Sequence, residues 1–187
     1  MRSMNRTVAA GLTFLAAASG LGLSACDTAP KTADDKSALN SEVQGALGAF
    51  RSTDTTLDAL LGKSAGYAVF PSVGKAGFIA GGAYGRGEVF SGRGVRLGWA
   101  DMTQGTVGLQ IGAQSYDMVI VFMTQEQLNK FMANQFTFTA NVSAVAIKPG
   151  AAAASDISKG VVVFTRTSGG VMAEAALGGQ NFTFKPL

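Results

Sequence analysis

Between Ala76 and Phe90 the sequence alternates in a way that few folds can use. One parity reads Gly77, Ile79, Gly81, Ala83, Gly85, Gly87 and Val89, and the other Phe78, Ala80, Gly82, Tyr84, Arg86, Glu88 and Phe90. A strand points successive side chains to opposite faces. Read as one strand, this stretch has a face that is almost bare backbone, which marks close approach or bending. Tyr84, Arg86 and Glu88 share the other face. The chain holds 25 glycines but only 4 prolines, which suits glycine inside strands and tight hairpins better than collagen or linker sequence.

The flanking pattern predicts an α+β fold. Leu39, Val43, Ala46, Leu47 and Phe50 line one face of a helix over Ser37 to Arg51,. That face can pack on a sheet or insert into a bilayer interface. Its few charges, Glu42 and Arg51, favour packing, because interfacial helices carry a Lys/Arg-rich polar face. A second short helix is expected over Thr55 to Lys63, with Ser52-Thr53-Asp54 as its cap,. Tyr67 to Phe70 reads as a short strand stopped by Pro71,. Val95 to Trp99 and Val107 to Gln114 alternate as half-buried antiparallel strands, and Met118 to Met123 is a continuous apolar run that suits a central strand,. A helix follows over Gln125 to Asn134, then strands at Phe136 to Ile147, Gly160 to Thr167 and Val171 to Phe184, with a loop over Lys148 to Lys159. The expected architecture is N-terminal helices followed by a strongly curved, mainly antiparallel sheet of about seven strands, or a partly closed barrel, with one inserted helix.

The first 25 residues have a different character. Arg2 and Arg6 precede an uncharged stretch from Thr7 to Ala25, and Leu23-Ser24-Ala25 runs directly into Cys26, the sole cysteine. A basic start, a short apolar core and a small-residue cleavage site form the layout of an export signal. A membrane-spanning helix, a cleaved signal that leaves a free thiol and a buried structural cysteine are the competing readings. A cysteine immediately after Leu-Ser-Ala resembles the bacterial lipoprotein signal, in which that residue is acylated and becomes the new N-terminus. This resemblance implies a leader at 1–25, a tether at 26–36 and a folded domain at 37–187. It also implies a location in the cell envelope, facing the periplasm and held to a membrane by acylated Cys26.

Charge and composition then exclude several functions. The sequence pI is about 9.2. Arg2 and Arg6 leave with the leader and no acid does, so 13 basic side chains remain against 12 acidic, a net charge of +1. That balance does not point to nucleic acid. Histidine is absent, which removes the commonest general base and metal ligand. No cofactor is implied. Gly62-Lys63-Ser64 resembles the end of a phosphate loop, but Leu57 stands where its first glycine belongs,. Gly85-Arg86-Gly87 lacks the third glycine of a dinucleotide fingerprint. Glu88, Asp101, Asp117, Asp156 and Glu174 supply carboxylates for a hydrolase, yet no sequence spacing pairs any two, and most read as exposed charges or turn residues,.

The ordered string Ala65-Gly66-Tyr67-Ala68-Val69-Phe70-Pro71-Ser72-Val73-Gly74-Lys75-Ala76-Gly77-Phe78 continues into Gly81-Gly82-Ala83-Tyr84-Gly85-Arg86-Gly87. Here the chain resembles the SYLF domain, also called the Ysc84-type actin-binding or Las17-binding domain. Gly108 to Gln114 and Gly169-Gly170-Val171-Met172 extend the likeness, which covers Leu57 to Leu187. The resemblance implies a non-enzymatic lipid-binding module. Actin does not carry over to a protein facing the periplasm, so the shared part is recognition of anionic phospholipid head groups. Between Lys63 and Arg96 five basic residues accompany one acid. Lys75, Arg86, Arg93 and Arg96 are therefore the candidate head-group cations, Tyr84 a flanking contact, and Cys26 the lipidation site. Those charges also read as an ordinary solvated face. The alternative function is a structural or interaction module of the envelope, which binds another envelope protein or itself.

Overall fold

The computed structural model describes residues 30–77, 80–107, 114–136, 138, 142–146, 148–167 and 180–187. Cys26, Glu174 and the stretches 108–113 and 168–179 lie outside the described residues, as do Phe78 and Ile79. The first helix, α1, spans Ala33–Thr53. It starts four residues earlier than the apolar spacing predicts, inside the stretch read as tether. Thr32 and Asp35 close a capping box there, with the Thr32 Oγ1 accepting the Asp35 N–H at 3.0 Å and Asp35 Oδ2 accepting the Thr32 N–H at 3.2 Å. This reciprocal pair satisfies donors that a helix start otherwise leaves unpaired. Helix α2 follows at Leu57–Lys63.

Seven strands form one sheet. In chain order they are β1 (Gly66–Gly77), β2 (Ala80–Ser91), β3 (Arg96–Val107), β4 (Gln114–Phe122), β5 (Val142–Ala146), β6 (Val161–Thr167) and β7 (Gln180–Pro186). Helix α3 (Gln125–Met132) lies between β4 and β5, capped by the Thr124 side chain. The spatial order is β5-β6-β4-β1-β2-β3-β7. Every pairing is antiparallel except β5 with β6. No described pairing joins β5 to β7, so the sheet is curved and open, without closure into a barrel. As the continuous apolar run from Met118 suggests, β4 is an interior strand.

The sheet has a core on each face. On one, Leu39, Val43, Leu47 and Phe50 of α1 pack with Tyr67, Val69, Trp99, Val119, Val121 and Phe164. The apolar face of α1 is therefore spent on the sheet, which decides against bilayer insertion by that face. On the other, Phe70, Met102, Met118, Ile120 and Val163 pack beneath α3. Phe122, Phe131, Phe136 and Phe182 make a ring cluster there, with centroids 4.9 Å apart for Phe122 and Phe131 and 5.4 Å for Phe131 and Phe182. Such tilted aromatic pairs add about 1 kcal/mol each to simple burial.

Two expectations are corrected. Pro71 does not stop β1, which continues to Gly77 through a register shift against both neighbours. Proline is compatible with a strand at such a bulge because its missing N–H falls where the ladder is already broken. Ser72 takes φ 54° there, and its N–H is held by Asp117 Oδ1 at 3.1 Å. Nor is Ala76 to Phe90 a single strand: its start ends β1, and β2 begins at Ala80, with Gly77 opposite Gly81. The bare face still has an occupant, which is β1 itself. A Cβ on Gly85 would lie 2.8 Å from Val73 Cγ2, and one on Gly87 would strike the Val69 carbonyl and lie 2.8 Å from Phe70 Cδ1.

The loop after β5 is tied back to the helices by Asp54. This buried carboxylate accepts the Ala152 N–H at 2.6 Å, the Thr56 hydroxyl at 2.6 Å and the Thr56 N–H at 2.9 Å. Burial pushes the Asp54 carboxyl up, but hydrogen bonds from Ala152 and Thr56 outweigh it and hold the group below its ordinary 3.8. A lowered carboxyl contributes stability that is complete above the unfolded pKa and is lost as pH falls through the folded one. The stability gap between the parent and Asp54→Asn, measured by urea denaturation, should be largest at neutral pH and shrink below about pH 4. Gly87→Ala should destabilise the fold by about 1–3 kcal/mol; an unchanged urea midpoint would refute the close approach of β1 to β2.

Candidate functional site

The face of β2 that carries Tyr84, Arg86 and Glu88 lies beneath α1, and each of the three has a different environment. Glu88 is 0 % exposed. Asn40 of α1 donates to its Oε2 at 2.9 Å, and Arg96 of β3 donates to its Oε1 at 2.7 Å. A buried carboxylate is costly unless it is paired and hydrogen-bonded, and both conditions are met here. The Arg96 guanidinium also lies 5.7 Å from the Trp99 ring centroid, and Lys36 Nζ lies 4.6 Å from it. The cluster Lys36, Asn40, Glu88, Arg96 and Trp99 thus fastens the first turns of α1 to β2 and β3.

Arg86 is opposite Asp101 in the β2–β3 register. The Tyr84 hydroxyl donates to Asp101 Oδ1 at 3.1 Å. Hydrogen bonding with Tyr84 holds the Arg86 guanidinium above its usual pKa against the opposing effect of burial, with Asp101 and Asp35 adding smaller attractions. Arg86 Nε is nevertheless buried without a hydrogen-bond partner. The residue borders a cavity of about 260 Å³ between α1, the β1 bulge and β2, lined by Asp35, Leu39, Glu42, Ser72, Tyr84 and Arg86 among others.

With this geometry in view, one comparison with known families finds a partial match. Residues 103–186 match the family described as Ysc84, Las17-binding protein actin regulator. Over that segment the chain is similar to the Ysc84 family. No curated protein matches the chain. The matched segment takes in the end of β3, from Thr103, and all of β4, α3, β5, β6 and β7. However, β1 and β2 lie between β4 and β3 in the sheet. The matched segment is therefore not a complete sheet by itself: Gly66–Ser91, where the distinctive glycine-rich string lies, fills the gap between β4 and β3.

The candidate cations do not converge. Lys75 is on β1 opposite Ala83 of β2 and Gln114 of β4. Arg93 is exposed in the turn between β2 and β3. Ala83 and Ser91 are eight residues apart on β2, which places the two cations at opposite ends of the sheet, about 26 Å apart along the strand. Arg96 already serves Glu88, and Arg86 lies between the ends beside Tyr84. Cys26 falls outside the described residues. The carboxylates are also dispersed. Glu88, Asp101 and Asp117 are buried rather than exposed. Asp117 binds the Ser72 N–H and Arg166, while Asp156 caps a short 3-10 turn at Ile157–Lys159.

Sequence reasoning missed Asn40 and the role of Glu88. Asn40 stands three residues before Val43 and seven before Leu47, so it falls on the apolar stripe of α1, where a polar residue needs a partner. That was the available signal. Removing one partner of a buried ion pair leaves the other charge uncompensated. Arg96→Ala should therefore lower stability by about 3 kcal/mol, and Asn40→Ala by about 1–2 kcal/mol. Urea unfolding of each variant checks this; equal midpoints for Arg96→Ala and the parent would show that Glu88 does not need its cation.

Proposed function

We propose that this chain is a non-enzymatic, lipid-anchored protein of the cell envelope, facing the periplasm, whose Ysc84-like domain binds anionic phospholipid head groups. The observation that carries this reading is the end of the sheet at the β2–β3 turn. Val95 is 62 % and Leu187 69 % exposed, and Arg93 is exposed beside Val95. The Leu187 N–H bonds the Leu97 carbonyl at 3.3 Å, which fixes Leu187 to the same end. Exposed apolar tips with an adjacent cation suit a membrane interface, where apolar groups enter the acyl boundary and a basic side chain meets anionic lipid. The leader and Cys26 support a second attachment, since a lone acyl chain holds a protein only marginally.

The full chain with Cys26→Ser should co-sediment with vesicles in proportion to their phosphatidylglycerol content and lose binding as salt rises. Arg93→Ala should weaken that binding about fivefold, the equivalent of roughly 1 kcal/mol per basic side chain near an anionic surface. Cys26→Ser in cells should shift the protein from the membrane to the soluble fraction. Indifference to anionic vesicles at low salt would sink the head-group reading and favour an envelope protein partner.

A further inference from the structure

The cavity beside Arg86 has the wrong charge balance for a purely anionic ligand. Asp35 and Glu42 of α1 and Arg86 of β2 all line it. Asp35 and Glu42 are seven residues apart, so they project from one face of the helix. Hydrogen bonds from the Thr32 hydroxyl and N–H hold the Asp35 carboxyl below its ordinary value, so it is ionised at neutral pH. Two carboxylates therefore face a single guanidinium across the space. Among the described residues, neither Asp35 nor Glu42 comes within ion-pair distance of Arg86, and Asp101, opposite Arg86 on β3, adds a further attraction.

Arg86 supplies the second observation. Its Nε is buried and lacks an acceptor, and the residue lines the cavity. Guanidinium forks match phosphate and carboxylate oxygens. The space, about 260 Å³, is at the small end of ligand pockets, and its wall mixes charged and hydroxylic groups with Ala38, Leu39 and Pro71. It fits a head group and not an acyl chain.

We propose that this cavity binds a zwitterionic aminophosphate of the phosphoethanolamine class, with the phosphate on Arg86 and the primary ammonium between Asp35 and Glu42. The proposal rests on the lipid head-group reading for the choice of phosphate over carboxylate. It adds a selectivity that the anionic surface contact at Arg93 cannot supply. A phosphoglycerol head group has no cation for the two acids, and a phosphocholine head group has no N–H to donate to them.

The test uses the full chain with Cys26→Ser and two arms. In the first, amide NMR at Ser72 and Gly85 follows titration with glycerophosphoethanolamine, glycerophosphoglycerol, glycerophosphocholine and glycine. In the second, vesicles of phosphatidylcholine mixed with phosphatidylethanolamine or with phosphatidylglycerol are sedimented. Glycerophosphoethanolamine should bind at least tenfold more tightly than the other three. Arg86→Gln and Glu42→Gln should each remove at least tenfold; Glu42 is exposed, so its variant tests the pocket without threatening the fold. Equal binding of the glycerol head group, or no effect of Glu42→Gln, overturns the proposal. Tighter binding of glycine would reassign the pocket to amino acids and overturn it as well. Silent amides with binding to phosphatidylglycerol vesicles would overturn the pocket and leave the surface reading intact. Amide shifts with glycerophosphoethanolamine but no vesicle binding would keep the pocket as a site for the free aminophosphate and remove the membrane role. Silence in both arms removes both.

Discussion

The bulge at Pro71–Ser72 is the constraint on which the rest of the molecule depends. It occupies the strand with a neighbour on each side and a core on each face, so its geometry reaches both layers. Proline removes one ladder donor, Ser72 adopts a positive φ, and Asp117 on the neighbouring strand takes up the Ser72 N–H. The register of β1 then shifts against β2 and β4 alike. A shifted strand bends, and a bend brings Val69, Phe70 and Val73 onto the backbone of β2. Gly85 and Gly87 are the residues that allow this. The same bend opens the space beneath α1 into which Arg86 looks.

A second device holds α1 over that space. Most of the helix is secured by apolar burial, which is non-directional and would tolerate a small slide or rotation. The contact of Asn40 and Arg96 with Glu88 is directional. It fixes where the N-terminal half of the helix lies and so where Asp35 and Glu42 stand relative to Arg86. A polar group buried at such a junction contributes uniqueness of arrangement more than raw stability.

Much of this was legible in the sequence, for identifiable reasons. The spacing of Leu39, Val43, Leu47 and Phe50 located α1 and its buried face, and the unbroken run from Met118 located an interior strand, because burial on one face or two leaves a direct periodic trace. The alternation around Gly85 and Gly87 announced a close approach. It did not say what approaches, since the β1 bulge is a pairing between distant segments. Pro71 misled because a local rule about missing donors takes no account of a bulge. The start of α1 was placed late because its first turn is polar and is stabilised by the Thr32–Asp35 box, which leaves no apolar signature. Candidate cations were found by residue type alone, and residue type does not report a partner. Arg96 faces Glu88, and Arg86 faces a cavity whose acids come from a helix more than forty residues earlier in the chain.

The strand order carries a consequence for how the chain acquires its shape. Neighbours in space are often far apart in sequence: β1 pairs with β4, and β3 waits for β7, whose last paired residue is Pro186. Non-local pairing of this kind slows folding, since loop closure must precede the contacts that reward it. As the chain is synthesised from its N-terminus, the β1–β2–β3 meander can assemble early, but one border of β3 stays open until Gln180–Pro186 have emerged from the ribosome. Over that interval an unpaired edge is available to other chains. The domain is therefore most prone to self-association as a nascent chain, just before β7 is delivered.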